Sequence, residues 1–147
     1  MRVRLAAFTL VCLASAAAFV GAAGATHSAR ATVVVRSSSF GSMLFDGRGF
    51  ALYAFTRDTL RHSNCFGACA SSWPPYILRG SLKAGVGSKR SLLGTARRAD
   101  GRRQVTYAGR PLYFYVGDRR AGQVLCQDVV EFGGTWLVVR GSGKLVR

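Results

Sequence analysis

The stretch Leu52-Tyr53-Ala54-Phe55-Thr56-Arg57-Asp58 returns sixty positions later as Leu112-Tyr113-Phe114-Tyr115-Val116-Gly117-Asp118. Both copies follow the pattern Leu-Tyr-x-aromatic-x-x-Asp. A sequence that recurs at a fixed period indicates a duplicated supersecondary unit, whose copies bury a face against each other. The candidate site residues are the aromatic and acidic members of the two copies: Tyr53, Phe55, Asp58, Tyr113, Tyr115 and Asp118.

Strand-like runs and a tight turn precede the first copy. Thr32 to Arg36 and Ser42 to Asp46 read as strands, Asp46-Gly47-Arg48-Gly49 as a hairpin turn, and Phe50 to Phe55 as the return strand. Asp-Gly between apolar runs is a strong hairpin signal, because the favoured turn needs positive φ. Alternation along the return strand predicts Leu52 and Ala54 on one face, with Tyr53 and Phe55 on the other.

The second copy has a similar setting. Strands are predicted over Leu92–Arg97, Arg103–Tyr107, Pro111–Val116 and Thr135–Val139, after a flexible connection over Gly80–Ser91. A short helical turn is expected near residues 65–72, where Pro74 and Pro75 then stop it. The fold class is therefore mainly β: one small domain over residues 26–147, made of two tandem hairpin-based repeats at about 41–79 and 92–140.

The N-terminus predicts export. Arg2 and Arg4 precede an apolar run from Leu5 to Val20, and Ala23-Gly24-Ala25 forms a small-residue cleavage site. This is the pattern of a secretory signal peptide over residues 1–25. An uncleaved N-terminal anchor is the alternative. The expected location is secreted or extracytoplasmic, in the bacterial envelope.

The positive charge suggests what the protein meets outside the cell. The chain carries 21 Lys and Arg against 6 Asp and Glu, a net charge of +15, and the part that follows the predicted signal peptide keeps 19 of these basic residues and a net charge of +13. Such a charge bears on partners rather than on fold. We expect an anionic envelope surface, either phospholipid or wall polymer, as partner. Nucleic acid is not expected, because the chain leaves the cytoplasm.

The paired motif has two interpretations. In the first, the aromatic residues are half-buried strand residues, and Asp58 and Asp118 cap the turns after the strands by accepting backbone N–H bonds. In the second, the two aspartates and the tyrosine hydroxyls form a ligand or cation site. Two carboxylates are few for Ca²⁺, which takes six or more oxygen ligands.

The cysteines leave several possibilities open. Cys65, Cys69 and Cys126 remain after signal removal, and an exported chain is expected to form one disulfide with one thiol left over. Alternatively, His62 could join the three cysteines in a zinc site, giving an extracytoplasmic redox or metal-binding protein. No pairing of a nucleophile with a base is visible. We therefore expect no catalytic residues, no cofactor and no enzymatic activity.

These residues together resemble the bacterial secreted repeat family, predicted lipoproteins with a repeated Tyr-x₄-Asp motif. The resemblance rests on both motif copies, Cys65-Phe-Gly-Ala-Cys69, Trp73-Pro74-Pro75, and the run from Asp100 to Tyr113. It implies a secreted or envelope-attached protein of uncharacterised function, with no assigned catalytic residue or cofactor. Our leading hypothesis is a non-enzymatic binding or structural role. The resemblance also implies a disulfide between Cys65 and Cys69, with Cys126 free or an alternative partner. The sequence before Cys12 lacks the context that lipid attachment needs.

Overall fold

A computed structural model describes Arg30 and residues 32–147 of the chain. The predicted signal peptide, residues 1–25, lies outside the described residues. The described part is mainly β, as predicted, and none of its helices is long and apolar enough to cross a membrane. The elements are β1 Val33–Arg36, β2 Met43–Asp46, β3 Tyr53–Phe55, α1 Ala68–Ser72, a 3₁₀ turn Arg90–Leu92, β4 Leu93–Arg97, β5 Arg103–Tyr107, β6 Arg110–Pro111, β7 Val129–Glu131 and β8 Gly134–Val138.

Each repeat opens with an antiparallel hairpin. Strand β1 pairs with β2, and β4 pairs with β5. In both repeats the chain then turns back towards the hairpin, and the amide of the motif leucine donates to the hairpin's second strand. Leu52 N–H donates to Leu44 O at 3.1 Å, and Leu112 N–H donates to Val105 O at 3.0 Å. The two hairpins are thus equivalent units.

The predicted return strand over Phe50–Phe55 is only partly right. It pairs with β2 near Ala51, which bridges Phe45, but β3 then pairs along its length with β8 of the other repeat. The equivalent Tyr113 bridges Pro75, which follows the tryptophan of the first repeat. In each repeat, therefore, the motif segment pairs with the segment that contains or follows the tryptophan of the other repeat.

Two apolar clusters lie on opposite faces of the motif strands. Tyr53 and Phe55 belong to one cluster, together with Trp73 and Trp136. Leu52 and Ala54 belong to the other cluster, whose members include Val105 and Leu112. This confirms the alternation predicted from sequence. Because side chains alternate across a strand, one short segment serves both cores.

Two local predictions need correction. The connection predicted as flexible over Gly80–Ser91 is tied to β1, because Ala84 bridges Val33 in parallel and the Val35 amide donates to Val86 O at 2.8 Å. Its end forms the 3₁₀ turn at Arg90–Leu92. The strand predicted over Pro111–Val116 is wrong beyond its first residue, because β6 ends at Pro111 and Tyr113 then forms only isolated bridges. Strand β7, which the sequence did not indicate, is three residues long and pairs with β8 across a tight turn. The helical turn predicted near 65–72 is the five-residue helix α1.

Candidate functional site

The two motif tyrosines face each other at the centre of the molecule. The Tyr53 amide donates to Tyr113 O at 2.9 Å, and the Tyr113 amide donates to Tyr53 O at 2.9 Å. Both residues are fully buried. Such a reciprocal pair is the mark of antiparallel strands. Residues that are equivalent in sequence thus lie opposite each other, as expected if the two copies pack around a local twofold axis.

The motif side chains cross between the repeats. Tyr53 OH donates to Asp118 Oδ2 at 2.7 Å, and Tyr113 OH donates to Asp58 Oδ2 at 2.7 Å. Each aspartate also accepts a hydrogen bond from a backbone N–H in the loop that follows it. Asn64 N–H lies 2.7 Å from Asp58 Oδ1, and Leu125 N–H lies 3.0 Å from Asp118 Oδ1. Each aspartate therefore accepts hydrogen bonds from a loop amide of its own repeat and from the tyrosine hydroxyl of the other repeat.

Burial sets the ionisation of these groups. Loss of water contact, followed by the Asp118 contact, raises the pKa of Tyr53 far above its ordinary value. Burial and then the Asp58 charge do the same to the pKa of Tyr113. Both hydroxyls therefore stay protonated and act as donors. Burial also raises the pKa values of Asp58 and Asp118 above the ordinary carboxyl value.

The motif aromatic rings join the two tryptophans in one column. Trp73 and Trp136 stack in parallel, with centroids 4.0 Å apart and an interplanar angle of 1°. Phe55 stacks on the outer face of Trp136 at 4.2 Å, and Tyr115 covers Trp73 at 4.7 Å. Phe55 and Tyr115 thus each contact the tryptophan of the other repeat. The column binds the halves together through large buried rings.

The rings are equivalent in position but not in polar contacts. Trp73 Nε1–H donates to Glu131 Oε2 at 2.7 Å. Among the described residues, Trp136 Nε1 has no hydrogen-bond partner although it is buried. A buried donor without a partner costs free energy. The two equivalent tryptophans therefore contribute unequally to the stability of the fold.

The cysteines are paired as the family resemblance implies. Cys65 and Cys69 form a disulfide, and Cys126 is free and buried. Cys126 follows Leu125, just as Cys65 follows Asn64 in the first repeat, so these two cysteines occupy equivalent places. Burial raises the pKa of the Cys126 thiol.

The alternative zinc set therefore needs correction. His62, Cys65, Cys69 and Cys126 cannot act together as ligands, because the disulfide uses two of the three sulfurs. Zinc binds thiolates, not disulfide sulfur. Within Arg30 and residues 32–147, no group of three or more His, Cys, Asp or Glu residues could hold a metal ion.

A basic concavity lies beside this framework. Its volume is about 910 Å³, and its wall contains aromatic and cationic side chains, among them Arg48, Tyr76, Arg79, Lys83 and Phe114. A neighbouring recess of about 270 Å³ shares Arg48 and Phe114 and also contains Tyr115 and Asp118. We call the two together the Arg48 groove. Sequence reasoning missed it, because its wall comes from loops that are distant along the chain.

Arg48 is held in place at the centre of this groove. Its Nε–H donates to Asp46 Oδ2 at 2.7 Å, and Asp46 Oδ1 accepts the backbone amides of Arg48 and Phe50 at 2.9 and 3.0 Å. The guanidinium carbon lies 5.1 Å from the Phe50 ring centre and 5.7 Å from that of Phe114. The terminal nitrogens take part in none of the hydrogen bonds found among the described residues. They are available to a ligand.

Comparisons with known proteins agree with the duplication. A search of curated proteins and a search of solved structures find no match to the chain. A family model described as a secreted repeat of unknown function matches twice, over residues 34–76 and 94–140. The two matched segments contain both motif tyrosines and both tryptophans, and together they cover more than half of the chain. The chain therefore belongs to this family of secreted repeat proteins.

Proposed function

We propose that this protein is a non-enzymatic binding module of the bacterial cell envelope, which attaches to anionic envelope material. Its family is described as secreted, so its partners are extracytoplasmic. Without Arg2 and Arg4 of the predicted signal peptide, the secreted part has a net charge of +13, which favours association with anionic surfaces or polymers. We expect the association to weaken with added salt, because exposed charges are screened over about 8 Å at physiological ionic strength.

The observation that carries the proposal is the composition of the Arg48 groove. Arg30, Arg48, Arg79 and Lys83 line its larger part, and the one acidic residue there, Asp46, is buried and bonded to Arg48. Binding sites are concave and combine aromatic walls with a few placed polar groups. The groove has this character.

The motif residues have a structural part in this proposal. Tyr53 and Tyr113 use their hydroxyls, and Asp58 and Asp118 use their carboxylates, on each other and on loop amides. The crossed pairs fix the two repeats together. Binding then falls to side chains at the surface of this rigid frame.

Sedimentation with anionic and neutral material tests the proposal. The purified secreted protein should pellet with isolated cell walls that carry anionic polymers and should remain in solution with walls stripped of them. Added salt should release the protein progressively. Equal pelleting with both wall preparations, or pelleting that salt does not change, would contradict the proposal.

A further inference from the structure

We propose that the Arg48 groove is a binding site for an anionic glycan, a chain of sugar units that carry phosphate or carboxylate groups. This inference rests on the proposed function and assigns it a site and a ligand class. Three features carry it: a positioned arginine, an aromatic wall beside it, and further cations along the same concavity.

Arg48 is prepared to bind an anion. Asp46, whose side chain is only 3% exposed, holds Nε, whereas the Arg48 side chain is 56% exposed. The guanidinium is thus anchored through Nε, and its terminal nitrogens make none of the hydrogen bonds found among the described residues. Such a planar fork suits the two oxygens of a carboxylate or phosphate. Because Asp46 and the Phe50 and Phe114 rings already restrict the side chain, less entropy is lost on binding.

The aromatic wall suits a sugar ring. Tyr76 and Phe114 lie with ring centroids 4.9 Å apart and planes tilted by 58°. Tyr76 is anchored by its hydroxyl, which donates to Thr32 O at 2.8 Å. Both rings are only partly buried, so apolar surface faces the groove. Aromatic rings offer a flat apolar face, and a sugar presents a matching face of C–H groups.

The shape favours a chain over a membrane. The two recesses share Arg48 and Phe114, so they meet at these two side chains. Arg79 and Lys83 are exposed and line the larger recess. A chain that follows the groove can place one anionic group at Arg48 and others at Arg79 and Lys83. A flat bilayer surface cannot enter a concavity in this way.

The chain contains a matched control for Arg48. Asp100-Gly101-Arg102 repeats the sequence Asp46-Gly47-Arg48. Arg102 donates from N and Nε to Asp100 at 3.0 and 2.9 Å, as Arg48 does to Asp46, and its Nη2 donates to Asp100 Oδ2 as well, at 2.6 Å. The Arg102 side chain is 59% exposed, close to the 56% of Arg48. Arg102 is not among the residues that line the groove. Replacing either arginine removes the same charge from the same kind of turn.

Isothermal titration of the purified secreted protein tests the site. The probes are a phosphate-bearing mannan and polygalacturonate, with neutral dextran and linear polyphosphate for comparison. We expect both anionic glycans to bind, and the one that binds more tightly identifies the preferred anionic group. Polyphosphate should bind more weakly because it has no sugar face. Arg48→Gln should weaken glycan binding about tenfold, as for loss of charge-assisted hydrogen bonds. Arg102→Gln should weaken it less than about twofold.

Arg48→Lys separates a positioned fork from a bare charge. Lysine keeps the positive charge, but its single ammonium group cannot both donate to Asp46 and present a planar pair of donors to a ligand. We expect a loss nearly as large as that for Arg48→Gln. Far-UV circular dichroism checks that each variant is folded. If the Arg48 variants do not fold, the Arg79→Gln/Lys83→Gln double variant takes their place, with the same expected direction.

The outcomes distinguish the site from the proposed function. If Arg48→Gln and Arg102→Gln weaken glycan binding equally, the module binds anions but the groove is not the site. If the glycans do not bind while vesicles of phosphatidylglycerol do, the ligand is a membrane and the glycan inference is wrong. If the wild type binds neither glycans, vesicles nor cell walls, the inference and the proposed function both fail.

Discussion

The hydroxyl of Tyr53 donates a 2.7 Å hydrogen bond to Asp118, which lies 65 residues further along the chain and in the other repeat. Tyr113 and Asp58 make the mirror contact at the same distance. The spacing of tyrosine and aspartate within one motif therefore does not serve a contact between those two residues. It places the tyrosine on the strand and the aspartate in the turn after it. There the tyrosine of each copy forms a hydrogen bond with the aspartate of the other copy.

The stacked tryptophans provide an optical test of this arrangement. Trp73 and Trp136 are the only two tryptophans of the chain, and their rings are parallel at 4.0 Å. Two indoles this close should couple and give a paired positive and negative signal in the circular dichroism spectrum. Trp73→Phe and Trp136→Phe should each abolish it. A signal that persists in either folded variant would contradict the stack.

The two tryptophan variants should differ in stability. Trp73→Phe leaves the Glu131 carboxylate without its indole donor, whereas Trp136→Phe removes an N–H that has no partner among the described residues. We therefore expect Trp73→Phe to lower the free energy of unfolding by about 1–2 kcal/mol more than Trp136→Phe. Urea denaturation measures both values. Equal losses, or a larger loss for Trp136→Phe, would argue against the asymmetry.

Thiol counting tests the disulfide assignment. The secreted protein without residues 1–25 should contain one thiol, that of Cys126, which reacts slowly until the chain is unfolded because the thiol is buried and its pKa is raised. The Cys65→Ala/Cys69→Ala variant should lose about 2 kcal/mol of stability by the chain-entropy model. The double variant should still show one thiol. Three thiols in the wild-type protein would contradict the assignment.

The sequence predicted the local structure better than its long-range partners. The alternation of side chains correctly predicted Tyr53 and Phe55 on one face of the strand and Leu52 and Ala54 on the other. The predicted strand over Arg103–Tyr107 also has the observed bounds. These features follow from neighbouring residues. The exchange of tryptophan segments does not, because nothing in three residues of β3 specifies a partner as distant as β8.

The Arg48 groove could not be predicted from the sequence for the same reason. The turn at Asp46-Gly47-Arg48 was predicted as a hairpin turn, and Asp100-Gly101-Arg102 has the same local chemistry. Only the fold places Tyr76 and Phe114 beside Arg48 and leaves Arg102 without such neighbours. A site built from separate loops has no local signal in the sequence.

The pH dependence of stability should have opposite signs at two aspartates. Burial raises the pKa of Asp118 in the folded chain, so its contribution is fully present below the unfolded pKa and decreases as pH rises towards the folded value. Hydrogen bonds from the Arg102 side chain lower the pKa of Asp100, so its contribution is present above the unfolded pKa and is lost as pH falls.

Replacement by asparagine isolates each effect. The wild type minus Asp118→Asn difference in free energy of unfolding should decrease as pH rises from about 4, the ordinary carboxyl pKa. The wild type minus Asp100→Asn difference should instead decrease as pH falls below about 4. Urea denaturation between pH 3 and pH 7 provides both curves. Slopes of the same sign would show that the environments of the two carboxyls are misassigned.

A double-mutant cycle on the crossed pairs tests the exchange between repeats most directly. Tyr53→Phe and Asp118→Asn should be coupled by about 1–2 kcal/mol in the free energy of unfolding, as expected for a buried hydrogen bond to a charged group. Tyr53→Phe and Asp58→Asn, which lie in the same repeat, should be additive within about 0.5 kcal/mol. Coupling of Tyr53 to Asp58 rather than to Asp118 would contradict the exchange.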